Sequence, residues 1–312
     1  MTDSPTPVVD SPGPQPTRCG FVAIIGAPNA GKSTLLNRLV GAKVSIVSPK
    51  VQTTRRRVLG ILVEGPAQII FIDTPGIFSP GKRLERAMVR SAWQGAEDAD
   101  LVLLIVDSTR PRLEEETRVI IDGLKRSGRR AILALNKVDA VKRDKLLGLT
   151  QRLFDIGIFD EVFMISATTG DGTADLVKGL VARLPEGPWH YPDDQISDLS
   201  LRDIAAEITR EHLFRQLRAE LPYALTVEPE TWEDFEDGSV RIGQQIFVQR
   251  EGQRSIVLGE GGQKIKAVRL AAQPEIEALT GRKVHLFLHV KVRENWPDDP
   301  ERYRAMGLDY DS

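Results

Sequence analysis

Phe21 to Ser33 reads F-V-A-I-I-G-A-P-N-A-G-K-S. Five apolar residues run directly into Gly26-Ala27-Pro28-Asn29-Ala30-Gly31-Lys32-Ser33, a match to G-x-x-x-x-G-K-[ST], and a helix-like stretch, Lys32–Val40, follows. Strand, glycine loop and helix in that order are the context the motif requires. Glycines there let backbone N–H groups turn inward around phosphate oxygens at a helix N-terminus. Gly26 to Thr34 are therefore expected to line a nucleotide, with Lys32 on the β- and γ-phosphates and Ser33 on Mg²⁺.

Outward from this loop, short apolar runs alternate with amphipathic stretches to about Pro185. The runs are Phe21–Ile25, Ile69–Ile72, Leu101–Val106, Ala131–Leu135 and Val162–Ile165; the helical stretches are Lys32–Val40, Leu84–Ala96, Leu113–Ser127, Lys142–Asp155 and Ala174–Leu184. Runs of Val, Ile and Leu suit strands buried on both faces. The alternation predicts an α/β domain, a mostly parallel sheet with helices on both faces. Val58–Val63 and Ala67–Ile72 flank Glu64-Gly65-Pro66 and predict one antiparallel hairpin.

The phosphate loop does not choose a base, but Asn136-Lys137-Val138-Asp139 after the run Ala131–Leu135 does. A carboxylate at Asp139 accepts the ring N1–H and the exocyclic amine of guanine, a donor pair that adenine lacks. Asn136 is expected to brace the loop and the Lys137 stem to lie over the base. Asp73-Thr74-Pro75-Gly76 ends another strand, where Asp73 is expected to hold Mg²⁺ through water and the Gly76 N–H to meet the γ-phosphate. Gly76 also opens a loop to about Arg83 suited to change shape when that phosphate leaves. In Gln52-Thr53-Thr54-Arg55 one threonine must reach the metal, Thr53 or Thr54. Ser166-Ala167 is expected to give a backbone N–H to the guanine oxygen.

Pro185 to Asp198, rich in Pro, Gly and Asp, reads as a linker. Beyond it the pattern predicts a helix over Leu201–Leu217, strands near Tyr223–Thr231 and Val240–Arg250, a loop and helix over Leu258–Leu279, and a strand Val284–Val292. This α-β-β-α-β order is a smaller α+β unit. The expected organisation is a tail over 1–18, a nucleotide domain over 19–186, a linker over 187–200 and a second domain over 201–312. Within the second domain Gly259-Glu260-Gly261-Gly262 is a G-x-x-G loop, read as lying between a strand and a helix. Arg241, Arg250, Arg254, Lys264, Lys266 and Arg269 surround it against Glu251 and Glu260, the local basic excess of a nucleic-acid contact. Gly259 to Gly262, with Lys264 and Lys266, are the candidate RNA-binding residues. Pro274 predicts a kink or break near Gln273, although Ile265, Val268, Ala272, Ile276 and Leu279 still make one apolar face.

The wording G-A-P-N-A-G-K-S, Q-T-T-R and D-T-P-G-I resembles the Era family of GTPases, and the resemblance continues through Val284–Trp296 at the C-terminal end. It implies GTP hydrolysis with a conformational switch, and a type II KH domain over the second unit. The implied ligand is the 3′ end of small-subunit ribosomal RNA, and the implied partner is the assembling small ribosomal subunit. Ras-like enzymes place a water-orienting glutamine directly after Asp-x-x-Gly, whereas this chain has Ile77. Hydrolysis should be slow without help, and the resemblance points to Asn29 as a candidate potassium ligand. KH loops usually carry a basic residue between the glycines, whereas Glu260 and Gly261 stand here, with Lys264 and Lys266 as substitutes.

Of 312 residues 41% are hydrophobic and 28% charged, and the net charge is -2, so any electrostatic function must come from local clustering. The lone Cys19 excludes an internal disulfide, fits a reducing compartment and reads as a small side chain at a domain edge. Met1 to Thr17 carry five prolines and no apolar run, the composition of a disordered tail and not of a secretory signal. The longest apolar run, Leu101–Val106, is too short to span a bilayer. These features predict a cytoplasmic monomer and leave open peripheral contact with the inner membrane. A membrane-associated signalling GTPase linked to cell-cycle control is the alternative, disfavoured by the lack of a basic amphipathic helix or lipidation motif. Arg55-Arg56-Arg57 reads as a solvated loop, with an RNA contact as the alternative.

Overall fold

The computed structural model of the chain describes residues 16–50, 53–110, 112–294 and 296–310. The tail reading for residues 1–15, and Gln52, lie outside them. β1 (Arg18–Gly26) is the centre of a six-stranded sheet with β2 (Val58–Glu64), β3 (Ala67–Asp73), β4 (Leu101–Asp107), β5 (Ala131–Asn136) and β6 (Phe159–Met164). The order is β2-β3-β1-β4-β5-β6, with only the β2–β3 pair antiparallel. Alternate residues of β1 feed two layers: Val22 and Ile24 pack with α1 (Lys32–Val40), Ala23 and Ile25 with α2 (Arg83–Asp98) and α3 (Glu115–Ser127). Each fully buried Val or Ile contributes about 1.5–3 kcal/mol relative to exposure. Strand order reverses at β1, between β3 and β4, which opens a crevice at the carboxyl ends of the strands. α4 (Arg143–Phe154) and α5 (Thr173–Val181) complete the helical cover.

Thr17 and Arg18, read as the end of the tail, belong to the fold. Arg18 pairs with Ala67 in the sheet, and the Thr17 hydroxyl donates to Gly187 O at 2.9 Å. The segment read as a linker is docked along the β2–β3 edge. Ile61 N donates to Ile196 O, the Ser197 hydroxyl to Leu59 O, and the buried Gln68 Oε1 accepts from His190 N and Tyr191 N. Polar and proline-rich composition signalled a free connector, but a sheet edge has unpaired N–H and C=O groups that such a segment can satisfy.

The second unit comprises α6 (Leu201–Gln216), β7 (Leu225–Asp234), β8 (Val240–Val248), α7 (Glu251–Leu258), α8 (Gln263–Thr280) and β9 (Val284–Val292). Its sheet runs β7-β8-β9, antiparallel and then parallel. α7 is absent from the sequence reading. It has two turns and buries only Val257, so no helical period betrays it, and the glycine loop sits between two helices instead of after a strand. Pro274 breaks nothing: α8 runs on through it to Thr280. Proline leaves the carbonyl four residues earlier without its donor; here both Pro274 and Leu270 face solvent, and buried Val268, Ala272 and Ile276 hold the helix down on the other side.

The two units meet along α6. One apolar cluster runs from Leu36 and Leu39 of α1 through Leu199, Ile204 and Ile208 into Ile276 of α8. Lys43 Nζ lies 2.8 Å from buried Glu211 and also pairs with Glu275. Arg55, read as part of a solvated loop, is only 5% exposed. It donates to Leu225 O and Pro222 O and stands against the rings of Phe214 and Trp296, while Arg56 pairs with Asp203. A short helix α9 (Pro300–Ala305) brings Tyr303 and, just beyond it, Leu308 onto Ala87 and Met88 of α2.

Candidate nucleotide site and nucleic-acid interface

At the crevice the loop between β1 and α1 wraps a cavity of about 430 Å³, lined by Pro28, Asn29, Gly31, Lys32, Ser33, Thr34, Thr53, Thr54, Gly76 and Lys137, with Ile46–Lys50 and Arg110 on the rim. Gly31 has φ 106°, and a Cβ there would fall 2.1 Å from Asn136 Nδ2. That close approach has a use: Asn136 Nδ2 donates to Ala30 O at 2.8 Å and its Oδ1 accepts from Ala167 N at 2.9 Å. Asn136 thus ties the phosphate loop to the Ser166–Ala167 loop. Gly26 and Ala27 turn their carbonyls to Lys32 Nζ at 3.1 and 3.0 Å. Burial pushes the Lys32 ammonium down to about 8, opposed by the charge of Asp73.

Asp73, at the end of β3, is fully buried. Its Oδ2 accepts from Ser33 Oγ at 2.7 Å, Ser45 Oγ at 2.8 Å and Thr54 Oγ1 at 3.4 Å, and Ser33 Oγ is 2.9 Å from Thr54 Oγ1. Asp73 Oδ1 is buried without a partner among the described residues. Burial raises the Asp73 carboxyl, against the pull of Lys32 and the three hydroxyls. A divalent cation fits this donor set, since oxygen-only hydroxyl and carboxylate ligands suit Mg²⁺ and an orphaned carboxylate oxygen needs a cation or water. Of the two threonines, Thr54 is in this cluster; Thr53 Oγ1 instead donates to Lys50 O and meets Ser48 Oγ. Ser45 was missed, and one serine in K-V-S-I-V carries no pattern that would find it.

Thr74 Oγ1 donates to Ile24 O, which locks the turn after β3 onto β1. Gly76 lies against Pro28, where a Cβ would come within 3.2 Å of its backbone; Pro75 is buried beside it. Ile77 is 1% exposed and packs with Ile25, Ile72 and Ala92, so its side chain faces the core and not the cavity. Ile77→Gln should therefore lower stability by about 1–3 kcal/mol through an unpaired buried amide and leave hydrolysis per folded molecule unchanged; thermal melts and single-turnover assays of the variant check both halves.

Lys137 (φ 67°) and Asn29 (φ 62°) are both left-handed, and Lys137 Nζ donates to Asn29 O at 2.9 Å. Asn29 Nδ2 donates to Pro49 O. Asp139 lies on the short turn after Lys137, exposed and outside the cavity lining. Ser166 N donates to Asp171 O and Ala167 N to Asn136 Oδ1, so protein acceptors take both N–H groups.

In the second unit Gly259, Gly261 and Gly262 have φ of 72°, 56° and 74°. A Cβ at Gly259 would lie 2.7 Å from Lys264 Cβ, whereas Gly261 and Gly262 face open space. The loop ends on α8, whose first N–H groups have no side-chain cap; such a terminus favours anions. Glu260, Gly261 and Lys266 are exposed and Lys264 half-buried. Lys264, Lys266, Arg250 and Arg269 make no ion pair among the described residues, while Arg254 pairs with Glu251. Arg241 sits at the far end of β8, paired with Glu233 and over the Phe287 ring, and so leaves the basic group read around the loop.

Residues 21–137 match the family described as 50S ribosome-binding GTPase, and residues 220–297 match the KH domain family. GTPase Era of Rhizobium meliloti is 59% identical over 298 residues, covering 96% of this chain and 95% of that protein. GTPase Era of Agrobacterium fabrum is 58% identical over 311 residues, 99% and 98% of the two chains. A crystal structure of an Aquifex aeolicus Era variant bound to GDP and AlF4⁻ superposes with TM-score 0.86 at 39% identity, covering 93% of this chain and 99% of that one. Era in complex with MgGDPNP and nucleotides 1506–1542 of 16S ribosomal RNA superposes with TM-score 0.85 at the same identity and coverage. These matches run through both units, in sequence and in fold, and the chain belongs to the Era family of GTPases.

Proposed function

We propose that this chain is a GTP-hydrolysing switch that binds the 3′ end of small-subunit ribosomal RNA and serves the assembling small ribosomal subunit from the cytoplasm. The observation that carries the reading is the Era complex holding both a nucleotide and that RNA segment, which this chain matches across 93% of its length. The unpaired Lys264 and Lys266, on the first turn of α8 beside an open glycine loop, support it from this chain's own residues. Among the described residues no helix is long and apolar enough to cross a membrane.

In this reading Lys32 leaves the loop carbonyls for the β- and γ-phosphates, Asp139 reads guanine, and Gly76 N–H meets the γ-phosphate. Ser33 and Thr54 hold Mg²⁺, with Asp73 oriented by Ser33 and Ser45; the ion, when bound, neutralises charge on the phosphate oxygens. With Ile77 in the core, no side chain at that position orients water, so the unassisted rate is slow. Asn29, whose amide N–H is engaged by Pro49 O, keeps Oδ1 for a potassium ion. Replacing sodium by potassium should accelerate turnover several-fold, and Asn29→Ala should remove the difference; equal rates in the two salts would exclude the cation role. The RNA half is tested by fluorescence anisotropy with a labelled 16S 3′-end oligonucleotide, a scrambled oligonucleotide and anionic vesicles. Preference for the authentic oligonucleotide is expected; binding to vesicles alone would favour the membrane reading.

A further inference from the structure

We propose that Asp107 is a positioning residue of the nucleotide site, its carboxylate fixing the Lys137 ammonium and, through it, the left-handed turn of the phosphate loop at Asn29. The inference rests on reading the cavity as a guanine-nucleotide site. Asp107 ends β4 opposite Asn136 in the β4–β5 register. It is 5% exposed, and a carboxylate so buried requires partners. Lys137 Nζ donates to its Oδ2 at 2.6 Å, and Thr109 donates to Oδ1 from its N at 2.9 Å and its Oγ1 at 2.6 Å. Burial pushes the carboxyl up, but the Lys137 and Thr109 hydrogen bonds outweigh it and hold the group below its usual range, charged at neutral pH. Arg110 Nε is 3.7 Å away, beyond a hydrogen bond, and lies closer to Glu114 at 3.0 Å.

The same ammonium that Asp107 holds donates to Asn29 O. Asn29 and Lys137 are two of the three non-glycine residues with positive φ among those described, a conformation that persists only where surrounding contacts enforce it. The Asp107–Lys137–Asn29 chain supplies that enforcement and stretches the Lys137 stem between β4 and the phosphate loop. Next in sequence, Ser108 N and Oγ both donate to Asn136 O. The end of β4 therefore anchors both halves of Asn136-Lys137, although no nucleotide motif includes it. With a neutral side chain at 107, Lys137 keeps a weaker hold and the loop turn relaxes.

The test is the release rate of mant-GDP from the full-length protein, by stopped-flow chase. Asp107→Asn should accelerate release roughly ten- to a hundredfold, the scale of a lost charge-assisted hydrogen bond, and change association by less than about threefold, because affinity differences of this kind reside in dissociation. Combined with Lys137→Met, Asp107→Asn should add no further acceleration; multiplying effects, or an unchanged single variant, overturn the proposal. Should Asp107→Asn fail to fold, Asp107→Glu carries the test. Its longer side chain cannot keep both Lys137 and Thr109, so release should quicken at least about threefold, and a wild-type rate overturns the proposal. Asp139→Asn serves as control. If it gains xanthosine nucleotide binding while Asp107→Asn releases normally, this proposal alone fails; if it keeps its preference for GDP, the site reading and the proposal fail together.

Discussion

Asp139→Asn is expected to lower GTP affinity by at least about a hundredfold and to create affinity for xanthosine triphosphate. In the proposed reading the carboxylate accepts two guanine hydrogens, and charge-assisted bonds of this kind contribute about 1.5–3 kcal/mol each. A site built around a donor pair discriminates steeply against a base that lacks it. Asparagine turns one acceptor into a donor, which faces the guanine amine unfavourably and the xanthine oxygen well. Asp139 is exposed on a short turn, so the exchange should leave the melting temperature nearly unchanged, and lost binding cannot be ascribed to unfolding. Titration with mant-labelled guanosine and xanthosine nucleotides measures it, and equal GTP affinity in variant and parent would refute the role.

Gly261→Asp should weaken binding of the 16S 3′-end oligonucleotide by about ten- to a hundredfold while GTP affinity stays within about twofold. A carboxylate roughly 5 Å from one phosphate, at an effective dielectric near 20, costs about 3 kcal/mol before ions screen it. A Cβ at Gly261 would meet no other atom within 4 Å, and its φ of 56° is a left-handed conformation that aspartate tolerates better than most residues. The fold should therefore survive. Lys264→Ala and Lys266→Ala should each weaken binding to all sequences and reduce the salt slope by about 0.7. Unaltered binding in Gly261→Asp would reduce the glycine loop to an ordinary turn. Anisotropy across a salt series separates these outcomes.

The α/β domain with its mostly parallel sheet, and the α+β unit after it, were legible because both rest on local signals. Val- and Ile-rich runs report strands buried on both faces, and the phosphate loop requires its glycines regardless of surroundings. Features that depend on a partner distant in sequence were not legible. Arg55 looks solvated until Leu225 O, Pro222 O and two aromatic rings close around it. The segment before α6 looks like a free linker until Gln68 and Ile61 satisfy its backbone. Two adjacent threonines are equivalent in one dimension, and only the path of the chain past Asp73 sends Thr54 inward and Thr53 back to Lys50. Pro274 predicts a break from its missing N–H, but exposure of Leu270 and Pro274 and burial of Ile276 keep α8 whole. Motif and period thus determined which chemistry the chain carries and in what order. Tertiary packing decided which atoms converge, because hydrogen-bond partners and burial are set by residues far away along the chain.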